Sequence, residues 1–127
     1  MNIDANNYPI VRMQNDPSLD MGVEEVLASF SKLLLLGRPF AFIGEGTPED
    51  EGGNGDDRRQ VTLWMKANKA ELRRLVKGHV QIVPDASKRA EMEAFSVVFG
   101  KFWGYPMFIA TSEEEAQGKA RSLLAET

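Results

Sequence analysis

His79, Asp85 and Ser87 are the residue types of a base, its orienting acid and a hydroxyl nucleophile, and they share one short stretch, HVQIVPDAS. Brought together they would support acyl transfer. The run His79–Val83 reads as a strand, however, and Asp85 lies past its far end. Six extended residues span about 20 Å, whereas a nucleophile and its base must approach to about 3 Å. The trio is therefore not expected to assemble, and His79 is read as the residue that opens a strand.

A second candidate is EGGNGDDRR, Glu51 to Arg59. Gly52, Gly53, Gly55 and Asp57 fit the glycine-rich spacing of calcium repeats in parallel β-helices. There the ion lies between successive turns, so tandem copies supply its ligands, and here there is one copy. EF-hand spacing is absent as well. Glu49, Asp50, Glu51, Asp56 and Asp57 would attract a cation only as any acidic cluster does. A third candidate, Gly44-Glu-Gly46-Thr-Pro-Glu49, follows a strand as a dinucleotide loop would. It lacks the third glycine, carries Pro48, and would point two glutamates at the anion. With one histidine and no cysteine, thiolate chemistry and an ordinary zinc site are excluded. No metal, cofactor or catalytic residue is expected, and the protein is read as a non-enzyme.

These residues must be positioned by a chain of 127 residues, long enough for one α/β domain spanning 1–127. Hydrophobic spacing alternates between strand and helix along it. Tyr8–Met13 is extended, with Pro9 at its start. Val23, Val26, Leu27, Phe30, Leu33 and Leu34 follow a helical period, with Asp20 as N-cap and Gly37 as stop. Pro39–Ile43 is a strand apolar on both faces, which implies cover on both sides. A polar loop spans 44–57. A second helix then puts Val61, Trp64, Met65, Leu72, Leu75 and Val76 on one face and ends at Gly78. His79–Val83 follows, then a third helix to about Trp103, stopped by Gly104. Tyr105–Ala110 is the last strand. Ser112 and Glu115 form a capping box before a helix that turns Ala116, Ala120, Leu123 and Leu124 inward. The order predicts a single, mostly parallel sheet of four to five strands with amphipathic helices packed on it.

Charge is unevenly spread. Residues 41–57 hold six acids and no base, and residues 58–80 hold seven bases and one acid. On a helical wheel Lys66, Lys69, Arg73 and Lys77 share a sector beside the apolar face. That stripe is a candidate anion-binding or partner-binding surface, or a solvated face that balances the acidic loop. No aromatic residues interleave with it and the net charge is −4, so nucleic acid is not the expected partner. The longest apolar run, Leu33–Leu36, is far short of the roughly 20 residues of a membrane helix. No stable membrane insertion is expected. The first twenty residues hold no apolar signal core, so a cytoplasmic location is expected.

Three segments, RPFAFIGEG, GHVQIVPDASKRAEMEAF and GYPMFIATSEEEAQGKARSLL, resemble the STAS-like class. That class includes anti-sigma-factor antagonists, the cytoplasmic domains of sulfate transporters and small stand-alone bacterial relatives. The resemblance covers about two-thirds of the chain and is one of pattern. It implies a sheet with helices on its faces and a regulatory or binding role without catalysis. In anti-sigma antagonists a D-x-S-G sequence ends a strand and opens a helix, and its serine is phosphorylated. Asp85 and Ser87 match its first and third positions, which makes Ser87 a possible phosphoacceptor. Lys88 replaces the glycine. If Pro39–Ile43 is the family's third strand, Asp85 and Ser87 follow the next one. Without that role, Asp85 or Ser87 simply caps the third helix.

Two features of the core complete the reading. Asn68 falls within the second helix's apolar face and needs a backbone partner or a water. Phe95, Phe99, Phe102 and Trp103 cover almost half of the third helix, more than one sheet face readily buries. They are core, or part of them forms a homodimer contact or an apolar-ligand surface. The expected function is a regulatory or protein-binding module, with a protein partner or a second copy of the chain. The alternative is a small apolar-ligand or lipid binder using the aromatic helix 90–103 and the basic face of helix 60–77.

Overall fold

The computed structural model describes residues 2–5, 8–14, 22–45 and 55–125. Asp20 and most of the acidic loop, 46–54, lie outside them. The fold is α/β: a five-stranded sheet and, among the described residues, four helices. The strands are β1 (Asn2–Asp4), β2 (Ile10–Gln14), β3 (Phe40–Glu45), β4 (Val76–Ile82) and β5 (Met107–Ala110). The helices are α1 (Val23–Leu35), α2 (Gly55–Leu75), α3 (Ala86–Trp103) and α4 (Glu113–Ala125).

The sheet runs in chain order, β1-β2-β3-β4-β5. β1 is antiparallel to β2, and the remaining neighbours are parallel. Right-handed crossovers that always step in one direction put their helices on one face. Accordingly α1, α2 and α3 share one side. There Val26, Phe30, Leu33, Leu34, Met65, Leu72 and Leu75 pack with Val11, Phe40, Phe42 and Val76, and Phe99 and Trp103 lean in. Among the described residues α4 alone covers the other side, where Ala116 and Ala120 let it sit close on Ala41, Ile43, Val80 and Ala110. β3 is buried on both faces, as its doubly apolar sequence predicts.

Phe30 is the hub of the helical side. Its ring lies 5.2 Å from Phe42, 5.4 Å from Trp64 and 6.2 Å from Trp103, so one side chain joins α1 to β3, α2 and α3. The Trp64 indole also donates to the Ser31 hydroxyl at 3.0 Å, pinning α2 to α1. Asn68 finds the backbone partner it needs, donating to the Trp64 carbonyl at 2.9 Å.

One boundary differs from the sequence reading. The second helix ends at Leu75, not at Gly78, and the strand starts at Val76 rather than at His79. Val76, almost fully buried, pairs with Phe40 in the ladder, which a helical backbone cannot do. Gly78 serves a different purpose inside β4. A Cβ there would meet Leu123 of α4 at 2.9 Å and the Phe108 ring at 3.1 Å. The glycine lets α4 pack down onto the sheet. Beside it β4 is irregular: from Val76 to His79 it uses one residue more than β3 does from Phe40 to Phe42. Val76 and His79, an odd number of positions apart, thereby both face the helical core. The predicted loop is also shorter than read, since Gly44 and Glu45 complete β3 and Gly55 begins α2.

Arg12 binds the opposite face together. It pairs with Glu113 at the start of α4 and with Glu45 at 3.4 Å. The Glu113 carboxyl is held below its ordinary range, chiefly by the Arg12 hydrogen bond. Ser112 caps α4 by accepting from the Glu115 amide at 3.2 Å, and Glu115 accepts the Thr111 hydroxyl at 2.7 Å.

Candidate functional site

α3 starts and stops where its sequence dictates. Asp85 is the N-cap, accepting the Ser87 amide at 2.9 Å and the Ser87 hydroxyl at 2.8 Å. These bonds, the hydroxyl's first, hold the Asp85 carboxyl below its ordinary range. Gly104 ends the helix in the left-handed region, at φ 87°, and donates to the Gly100 carbonyl.

Between these caps no α3 side chain is fully buried. Of the four aromatics Phe95, Phe99, Phe102 and Trp103, two turn toward the core: Phe99 and Trp103 pack against it. Phe95 and Phe102 stay 44% and 38% exposed, and Val97 and Val98 are each 61% exposed. A capped helix of five turns thus keeps an apolar face uncovered within the chain.

The basic residues adjoin the end of this helix. Lys66 and Arg73 are exposed on α2, and Lys69 is half-buried. A Cβ on Gly104 would meet the Arg73 stem at 2.5 Å and Lys69 Cε at 3.6 Å, so both aliphatic stems lie against the α3 terminus. Cations suit that end of a helix, where carbonyls point outward. Lys77 is not on the helix with the other three. It lies in β4, half-buried, and its ammonium donates to the Arg74 carbonyl at 3.5 Å.

The supposed triad is taken apart. Asp85 and Ser87 bond to each other on the surface, while His79 sits inside β4, 5% exposed. Its Nε2 is 2.9 Å from Gln81 Oε1, and Nδ1 is buried without a partner among the described residues. Phe99 and Phe42 flank the ring at 5.5 and 6.1 Å. Burial pushes the imidazole pKa down to about 4, against a smaller opposing effect of the Gln81 bond. Gly44 makes the room. It pairs with Gln81 across the ladder, and a Cβ there would collide with Gln81 Oε1 and approach His79 Nε2 to 2.5 Å. Sequence reasoning missed this polar pair. Its signal was His79 and Gln81 two apart in an apolar strand, hence on one face, beside a glycine in the neighbouring strand.

Among the described residues no three His, Asp or Glu side chains gather as a metal-ligand set, and no helix is long and apolar enough to cross a membrane. No family model, curated protein or solved structure matches the chain.

Proposed function

We propose that this chain is a non-catalytic regulatory or protein-binding module, STAS-like in kind and cytoplasmic, with α3 as its docking element. One observation carries the reading: α3 is capped at both ends yet leaves Phe95, Val97, Val98 and Phe102 open on a single helix. Solvating such an apolar patch is unfavourable, and partner binding relieves it. Lys69 and Arg73 add positive charge at the Gly104 end, suited to an acidic rim on the partner. The lone imidazole, the hydroxyl of Ser87 and the carboxylate of Asp85 do not converge, which supports binding over catalysis.

The test is photo-crosslinking from position 98 in extract of the native host. A specific protein adduct, lost on Phe95→Glu or on the double reversal Lys69→Glu and Arg73→Glu, is the expected result. Adducts unaffected by all of these changes would refute the proposal. The apolar-ligand reading draws on the same pairing of exposed Phe102 with nearby cations; co-purified lipid in a native mass spectrum would favour it. Ser87 is the candidate phosphoacceptor of the module. Its place at a helix N-terminus, following β4, accepts added negative charge, although Lys88 replaces the family's glycine. An unmodified Ser87 peptide in protein from the native host across growth conditions would remove that role.

A further inference from the structure

The exposed side of α3 has an internal order that names a partner. Glu91, Ala94, Val98 and Lys101 are spaced by three, four and three residues and are all exposed. That is the spacing of a helix–helix seam. Phe95 and Phe102 flank it on one side, and Ala90 and Val97 on the other, again all exposed. The seam carries an acid at one end and a base at the other, about 15 Å apart along the axis. Neither Glu91 nor Lys101 forms an ion pair among the described residues.

A pattern that is apolar in the middle and oppositely charged at its ends complements itself only when reversed. Two parallel copies would set Glu91 against Glu91 and Lys101 against Lys101. Antiparallel copies, related by a two-fold axis near Ser96, set each Glu91 opposite the other copy's Lys101. The same operation sets Val98 opposite Ala94, a large residue on a small one, which lets the helices approach. We propose that the partner of α3 is a second copy of this chain, joined by antiparallel α3–α3 pairing about that axis. This rests on the reading of α3 as a docking element. A contact of a few helical turns falls below the roughly 1,200 Å² of a stable complex, so the dimer is reversible.

Sedimentation velocity from micromolar to millimolar protein tests it. The unaltered chain is expected to pass from monomer to dimer over that range. Glu91→Lys alone and Lys101→Glu alone should each weaken association by roughly tenfold or more, because two facing pairs become repulsive at once. Mixing the two variants should restore dimer, since each Lys then faces a Glu again, and the double swap in one chain should restore it too. An unaltered chain that stays monomeric at every concentration overturns the proposal. So do charge variants that associate like the unaltered chain, or a mixture that stays monomeric. If the chain is monomeric while position 98 still crosslinks a different protein, the self-pairing fails and the docking role of α3 stands. Loss of both would refute the two together.

Discussion

The buried imidazole of His79 makes stability depend on pH in a defined window. The folded protein keeps the ring neutral, with a pKa near 4, because burial penalises the cation. The unfolded chain protonates it near the usual 6.5 or so. Between about pH 4 and pH 6.5 the unfolded state therefore binds more protons, and stability falls as pH falls. The full contribution is present above that window. Lowering the pH from about 7.5 to about 5 should remove about 2 kcal/mol, and reaching pH 4 and below roughly 3 kcal/mol. The side chains around the ring, Gln81, Phe42 and Phe99, are uncharged, so nothing there offsets the cation. The chain has one histidine, which makes the assignment clean. The Glu113 and Asp85 carboxyls, both held below their ordinary range, contribute stability above the unfolded carboxylate values of about 4 and lose it as pH falls through their folded values, so they add to the loss near pH 4 and below but little at pH 5. The assay is urea unfolding followed by tryptophan fluorescence, since Trp64 and Trp103 both pack on the helical core. It should be run at both pH values for the native chain and for His79→Gln. The native chain should lose the predicted stability, and the variant should lose little, whatever its absolute stability. Equal losses in the two would refute the reasoning, as would an imidazole that titrates near 6.5 by NMR in the folded protein.

Other perturbations follow from the same packing. Gly44→Ala forces a methyl group against the His79–Gln81 pair and should cost about 1–3 kcal/mol in denaturant unfolding. Phe30→Ala empties the hub that joins α1, α2, α3 and β3 and should cost about 3–5 kcal/mol by the same measurement. Val98→Glu, on the open face of α3, should change monomer stability by no more than about 0.5 kcal/mol while reducing association in sedimentation. Arg12→Met leaves Glu45 and Glu113 without their shared cation and should cost roughly 1 kcal/mol, a loss reduced by high salt.

Much of the architecture was legible because period and punctuation agree. The helical spacing of Val26, Phe30, Leu33 and Leu34, the stop at Gly37 and the doubly apolar Phe40–Ile43 each point to one structure, and the fold adopts it. The end of the second helix was not legible, because glycine has two uses. Gly78 looks like a helix stop in sequence, but its lack of a side chain serves close packing beneath Leu123, a residue far along the chain. The same long-range dependence hid the polar pair, whose space comes from Gly44 on another strand. On α3 the four aromatics were visible, but not which would turn inward. That division depends on what the helix meets, Phe30, Phe42 and His79 from other elements, which hydrophobic spacing alone does not carry.

The monotonic order of the sheet bears on how the protein comes into being. Each parallel strand lies beside the one synthesised just before it, so no strand must wait for a distant segment. Closing a loop costs more as it lengthens, and among the described residues each parallel strand pair closes over one intervening helix. The chain can therefore grow by accretion as it leaves the ribosome, strand upon strand. α4 comes last of the described helices, so the apolar wall of Ala41, Ile43, Val80 and Ala110 stays bare until it arrives. A nascent chain arrested before Glu113 would be the sticky one, and the place to look for chaperone capture.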